Sequence, residues 1–145
     1  MKVVIVQKNR EDLETIQSAL SESVGKCPPF QMEEVTFTQS PENAVRLAEL
    51  AAANSEPILV VCGLVFDGSI SSGERLAQSL KQANPDVFIW GYSFCGYYGD
   101  PSNFVVIVRK YEVDRERLAE MIAVFAALGC GSSIESLRKF APLFL

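Results

Sequence analysis

Short apolar runs alternate with helical patterns along this 145-residue chain. The first run, at 3–6, is rich in β-branched residues and too short for a buried helix, so it predicts a strand. A polar tip at 7–9 follows, and apolar positions then recur at helical spacing over 10–22. Further runs predict strands at 30–39, 58–65, 87–92 and 104–108. Helical patterns between and after them predict helices at 40–54, at 73–83 and from Asp114 to about residue 128.

Five strands that alternate with helices predict an α/β fold with a doubly wound, five-stranded parallel sheet. The expected strand order is the flavodoxin-like 2-1-3-4-5. The most apolar strand, 58–65, belongs at the centre of that sheet, whereas 30–39 carries a Glu pair and suits an edge. The link at 94–103 holds two glycines and a proline without helical spacing, so the fourth helix is expected to be shortened or missing.

Helix starts are marked by polar residues whose side chains can accept hydrogen bonds from free backbone N–H groups. Asn9 is the predicted N-cap of the first helix, and Ser40, followed by Pro41, is that of the second. Asp114 is the predicted N-cap of the last long helix. A single domain at 1–129 is expected, followed by an apolar tail at 130–145 that contains a short helix. This tail is expected to pack on its own domain or on a dimer partner.

The amino-acid composition argues against several classes of function. The chain has a net charge of −5 with scattered basic residues, which argues against a nucleic-acid surface. No apolar run approaches the length of a membrane span, and no secretory leader is recognisable, so a cytoplasmic protein is expected. Histidine is absent, which excludes imidazole-based catalysis and imidazole metal sites. The four cysteines form no C-x-x-C pair, and no phosphate-binding glycine loop occurs, so neither a metal nor a cofactor is expected.

The opening strand and its tip resemble the start of a response-regulator receiver domain. Such a domain carries two adjacent acidic residues at this tip, and Gln7 and Lys8 stand at those places here. The phosphoacceptor aspartate that ends a receiver's third strand is replaced by Gly63. Asp67 lies four residues further on and would need a different strand register to take its place.

The remaining receiver positions are partly kept. Lys110 matches the lysine that ends the fifth strand, while Tyr111 replaces the proline that usually follows. Ser93 is the candidate for the hydroxyl residue after the fourth strand, with Gly91 and Tyr92 as competing positions. Because phosphoryl transfer to a carboxylate needs a nucleophile and a divalent cation, the resemblance implies a degenerate receiver without a working phosphorylation site.

Lys8 leaves two interpretations open. Its ammonium group could occupy the place of the missing metal ion and pair with Asp67, which would fix the two loops in one state. Alternatively, Lys8 is an ordinary solvated residue at a strand tip.

Aromatic and apolar residues cluster on the last third of the chain and suggest a contact surface. The interface candidates are Tyr97, Tyr98, Phe104, Tyr111, Leu143, Phe144 and Leu145. The alternative is that the rings fill the space left by the missing fourth helix. A protein partner in signalling and a homodimer are the expected associations.

Two functional hypotheses follow from these observations. The first is a non-catalytic, receiver-like signalling or scaffolding module that acts through protein–protein contacts. The second is a domain, or an enzyme, that binds a small molecule or an anion at the carboxyl ends of the strands, among Lys8, Asp67, Ser93 and Lys110.

Overall fold

Five parallel strands form the centre of the molecule in the computed structural model, which describes residues 1–66, 72–94 and 101–140. The strands are β1 (Lys2–Val6), β2 (Val35–Thr38), β3 (Ile58–Cys62), β4 (Phe88–Ser93) and β5 (Val106–Arg109). Their order is β2-β1-β3-β4-β5, with every neighbouring pair parallel. The doubly wound, flavodoxin-like α/β fold is therefore confirmed, with β3 at the centre and β2 at one edge.

Helices cover both faces of this sheet. They are α1 (Arg10–Val24), α2 (Pro41–Ala53), α3 (Ser72–Ala83), α4 (Arg115–Gly129) and α5 (Ile134–Phe140). Helices α1 and α4 pack together on one face, and α2 and α3 pack together on the other. Because all five strands are parallel, the segments that follow them leave the sheet at the same, carboxyl edge.

The predicted N-caps of three helices are confirmed. Asn9 Oδ1 accepts a hydrogen bond from the backbone N–H of Glu11 at 2.8 Å, at the start of α1. The side chains of Ser40 and Asp114 each accept from the N–H three residues further on, at 3.2 and 2.8 Å. These bonds satisfy donors that have no partner within the helix, so each cap fixes where its helix begins.

Two hydrophobic clusters follow from the alternation of side chains along the buried strands. Val3 and Ile5 point into the larger cluster, beneath α1 and α4, where Phe125 packs on Trp90 with ring centroids 5.3 Å apart. Val4 and Cys62 belong to the smaller cluster, beneath α2 and α3. Cys62 is completely buried, and burial raises the pKa of its thiol to about 12.

The prediction of one continuous strand over 30–39 is wrong. Phe30 is fully buried in the larger cluster, the chain makes a 3-10 turn at Met32–Glu34, and only Val35–Thr38 pairs with β1. The alternating pattern was misleading because Phe30 reaches the core from a turn that precedes the strand. Residues 104 and 105 likewise lie before β5 rather than in it.

The connection from β4 to β5 contains a single 3-10 turn, Pro101–Asn103, in its described part. Residues 95–100 of this connection lie outside the described residues, so the shortened or missing fourth helix stays a prediction. At the other end of the chain, α5 packs on its own domain through Leu137, which is fully buried. Within the described ranges, no helix is long and apolar enough to cross a membrane.

Candidate functional site at the carboxyl edge of the sheet

Four of the predicted site residues meet at the carboxyl ends of four strands. Gln7 directly follows β1 and Gly63 directly follows β3, while Ser93 is the last residue of β4 and Lys110 directly follows β5. Together with Lys8, they line a recess of about 470 Å³, which we call the strand-end recess. The other lining residues are Asn9, Asp12, Leu64, Val65, Tyr92 and Phe94.

The strongest polar contacts at this recess converge on Asp12, in the first turn of α1. Its carboxylate accepts from Lys110 Nζ at 2.6 Å and from the Arg115 guanidinium at 3.1 Å. The side chains of Asp12 and Lys110 are only 10% and 12% exposed. An ion pair so shielded from water is weakly screened, so it holds Lys110 in one position. The three residues form what we call the Asp12 cluster.

Aromatic rings complete the surroundings of Lys110. Its ammonium group lies 5.3 Å from the ring centroids of both Tyr92 and Phe94, within the range of cation–π attraction. The Tyr92 hydroxyl donates to the carbonyl oxygen of Val113 at 2.9 Å. Burial is the main cause that raises the pKa of Tyr92 to about 12, so this phenol stays protonated at neutral pH.

Gln7 packs against Gly63 at the floor of the recess. A Cβ at position 63 would lie only 3.1 Å from Gln7 Oε1, so the absence of a side chain there lets the carboxamide approach the backbone. Gln7 is 2% exposed, and its buried Nε2 has no hydrogen-bond partner among the described residues. The two places that hold an acid and a phosphoacceptor in a receiver therefore contain a buried amide packed on a glycine.

Lys8 lies at the end of β1, and its side chain is exposed. Its carbonyl oxygen accepts from Gln39 Nε2 at 2.7 Å, which ties the tips of β1 and β2 together. Asp67 lies outside the described residues, so an ion pair between Lys8 and Asp67 stays a prediction.

The aromatic residues of the predicted interface divide into two groups. Tyr111 is 63% exposed, and Phe94, the aromatic residue that follows β4, is 67% exposed. Phe104 instead packs against the smaller core cluster, which favours the space-filling alternative for that ring. Tyr97, Tyr98, Leu143, Phe144 and Leu145 lie outside the described residues.

The sequence predicted the residues at the strand ends but not the carboxylate that pairs with one of them, Lys110. Neither Asp12 nor Arg115 is among the site residues predicted from the sequence. Asp12 is 98 and 103 positions away from its two partners along the chain. A local pattern cannot indicate such a contact, because only the sheet order brings α1 next to the end of β5.

Comparisons with known proteins add a structural likeness. No protein-family model matches this sequence, and no curated protein matches it. Among solved structures, the chain is similar to a 3-dehydroquinate dehydratase-like protein from Bifidobacterium longum, at 14% sequence identity. The alignment covers 99% of this chain and 97% of that chain, with a TM-score of 0.46. A likeness at this level says nothing about activity.

Proposed function

We propose that this chain is a non-catalytic, receiver-like signalling module that acts through protein–protein contacts and is not phosphorylated at an aspartate. The observation that carries the proposal is the Asp12 cluster, in which Asp12 holds Lys110 at 2.6 Å and Arg115 at 3.1 Å. Lys110, which matches the lysine that ends a receiver's fifth strand, is thus already paired with a carboxylate of its own chain.

The chemistry of the strand-end recess supports this proposal. Gln7 offers a neutral amide where a magnesium site needs hard anionic oxygens, and Gly63 offers no nucleophile. Among the described residues that line the recess, the only carboxylate is that of Asp12, and it already has two cationic partners. A metal ion or phosphoryl group would have to displace those partners, at the cost of leaving buried charges unpaired.

Exposed apolar side chains support a role in contacts. Of the large hydrophobic residues described as exposed, four belong to the β4–β5 side and to α4. They are Phe94, Tyr111, Val124 and Leu128. The last two are four positions apart on α4 and share one side of the helix. Exposed apolar side chains beside an edge strand are a common feature of interfaces, so we propose that Phe94 and Tyr111 belong to a surface that binds a second copy of the chain or a signalling protein.

A cytoplasmic setting is part of the proposal. The three described cysteines, Cys27, Cys62 and Cys130, are free thiols, as expected of a protein in a reducing compartment. We propose neither a nucleic-acid nor a membrane partner, because the chain is acidic overall.

Self-association tests the contact surface. Sedimentation equilibrium should show a dimer for the full chain and a weaker dimer for the double variant Phe94→Ser/Tyr111→Ser, because the apolar surface drives association. Deleting residues 141–145 tests the terminal tail separately and keeps α5, whose Leu137 belongs to the core. Leu50→Ser, an exposed apolar residue on α2, is the matched control. A parent protein that stays monomeric at high micromolar concentration would contradict the homodimer.

A second candidate function is the binding of a small anion in the strand-end recess. One observation favours it: Gln7 Nε2 is buried at the floor of that recess without a partner among the described residues. An unpaired buried donor costs free energy that a hydrogen-bond acceptor on a ligand would recover.

A further inference from the structure

A groove lies at the amino ends of β1, β2 and β3, on the side of the sheet that α2 covers. We call it the edge groove, because β2 is one edge of the sheet. Its lining residues are Lys2, Val3, Val4, Glu33, Glu34, Thr36, Leu47, Leu50, Ala51, Asn54, Glu56 and Ile58. All of them belong to the range 1–66, which the structure describes without a gap.

The interior of the edge groove is apolar. Val4 and Ile58 are buried strand residues, and Ala51 is buried on α2. Leu47 is half-buried beside them, and Leu50, on the same helix, is 50% exposed. The volume of about 250 Å³ is smaller than that of typical small-molecule sites, so the groove suits an apolar side chain of a protein partner better than a free ligand.

The backbone of β2 beside the groove is open to pairing. The carbonyl oxygen of Thr38 accepts from the Gln7 N–H at 3.2 Å, so the backbone groups of Thr38 face β1. Successive residues of a strand direct their N–H and C=O groups to opposite sides, so those of Phe37 point away from the sheet. Neither group of Phe37 has a hydrogen-bond partner among the described residues. An extended peptide can therefore pair with this edge as a further strand.

The charges around the groove favour a basic partner. Glu33 and Glu56 are exposed, and neither carboxylate has a partner among the described residues, whereas Glu34 pairs with the Met1 ammonium group at 2.8 Å. The lining contains one cation, Lys2. Helix α2 also ends here, and its last turn, which is described in full, carries no basic residue to balance the negative end of the helix dipole.

The turn after α2 holds Glu56 at the mouth of the groove. Its N–H donates to the carbonyl oxygen of Ala51 at 2.9 Å, and the N–H of Ser55 donates to that of Ala52 at 3.1 Å. These two bonds form a Schellman motif, in which Ser55 takes the left-handed place with a φ of 52°. The position of the Glu56 backbone is thus fixed by the helix end rather than by a free loop.

We infer that the edge groove binds an extended segment of a partner protein in which basic residues flank an apolar one. The segment pairs with the backbone of Phe37, and its apolar side chain enters the groove beside Leu50. Its basic residues face Glu33 and Glu56. This inference goes beyond the proposed function, because the edge groove and the surface proposed for contacts at β4 and β5 lie at opposite edges of the sheet.

Selection of peptides against the full chain tests the chemistry of this partner. A displayed library of random nine-residue peptides should yield binders with Lys or Arg on both sides of an apolar residue, because these residues complement the groove and its carboxylates. In an amide NMR titration of the ¹⁵N-labelled full chain, the tightest selected peptide should shift the signals of Thr36, Phe37 and Leu50.

N-methylation of this peptide tests the pairing with β2. Methylation of every second backbone nitrogen should weaken binding by about tenfold in one phase and little in the other. The reason is that only alternate N–H groups of an added strand face the edge strand.

Charge reversals test the two carboxylates. Glu33→Lys and Glu56→Lys should each weaken binding of the peptide by about tenfold, because each turns an attraction into a repulsion. Glu22→Lys is the matched control, because Glu22 is an exposed carboxylate on α1 that lies outside the groove lining, and it should leave the affinity unchanged. The amide spectrum of each variant reports whether it is folded.

Five results would overturn the inference. One is a selection without any basic, apolar binder, and another is equal loss of affinity in the two phases of N-methylation. A third is unchanged affinity in the folded Glu33→Lys and Glu56→Lys variants. Tighter peptide binding after deletion of residues 141–145 would show that the chain's own tail occupies the groove. Self-association that is lost in Glu33→Lys would assign the groove to a second copy.

Discussion

At the scale of single residues, Asp12 is the side chain on which the candidate site depends most. Its carboxylate contacts both Lys110 and Arg115, and its own side chain is 10% exposed. A charge in such a place is stabilising only while its partners remain, because the side chains of Asp12 and Lys110 are both largely shielded from water.

Replacing this carboxylate gives the first prediction. Asp12→Asn should lower the free energy of unfolding by about 3 kcal/mol, since it leaves the shielded ammonium group of Lys110 without a counter-charge. Glu14→Gln is the matched control on the same helix, because Glu14 pairs with Arg10 at 3.2 Å on the exposed face. The control should change stability by less than about 0.5 kcal/mol. Urea unfolding measures both, and equal effects would contradict the role assigned to Asp12.

Tyr92 gives a prediction about alkaline pH. Its pKa is raised to about 12 in the folded protein, mainly by burial, whereas an unfolded tyrosine titrates near 10. The folded state therefore binds the proton more tightly, so the stabilisation is complete below about pH 10 and is lost as the pH rises towards about 12.

The variant Tyr92→Phe isolates this contribution. At neutral pH it should be less stable by about 1 kcal/mol, because the hydrogen bond to Val113 is lost. The difference in the free energy of unfolding between parent and variant should shrink as the pH rises from about 9 to about 11. A difference that stays constant over this interval would show that Tyr92 titrates normally.

At the scale of elements, the connection from β3 to α3 depends on close backbone contact. A Cβ at Gly73 would lie 2.7 Å from the Cα and carbonyl oxygen of Leu64, and the Gly73 N–H donates to that oxygen at 3.0 Å. Backbone atoms cannot move aside as a flexible side chain does. The glycine is thus required by space rather than by an unusual backbone angle.

Gly73→Ala should therefore lower the free energy of unfolding by about 2 kcal/mol, a typical cost of overpacking. Gly25→Ala is the matched control, because Gly25 has helical angles and its added Cβ would meet only the carbonyl oxygen of Glu22, at 3.5 Å. The control should be neutral or slightly stabilising. Thermal unfolding compares the two, and a harmless Gly73→Ala would mean that this connection adjusts easily.

The elements also show where sequence patterns are informative. The buried strands were predictable because β1 and β3 are continuous apolar runs, and the three caps because Asn9, Ser40 and Asp114 act on N–H groups within three residues. The start of β2 was not predictable in this way. Phe30 reaches the core from a turn, and its buried side chain extends the alternating pattern beyond the strand. Local signals predict elements well, but they do not distinguish a buried strand residue from a buried turn residue.

At the scale of the whole molecule, the sheet order determines which distant residues meet. The order β2-β1-β3-β4-β5 brings Gln7, Gly63, Ser93 and Lys110 to one edge, as the resemblance implied from their places after each strand. The bond between Lys110 and Asp12 could not be predicted in this way, because it depends on how α1 lies against the end of β5. The strand-end positions were thus predictable from the sequence, whereas the contact between Asp12 and Lys110 required the fold.

The central claim is that the strand-end recess does not accept a phosphoryl group, and the most direct measurement is the intact mass after incubation with acetyl phosphate and magnesium. A receiver domain that keeps its acidic pair and acceptor aspartate serves as the positive control. We predict that this chain keeps its unmodified mass, because Gly63 offers no nucleophile and Lys110 is held by Asp12. A stoichiometric, base-labile phosphate on any aspartate, including Asp67, would contradict the account.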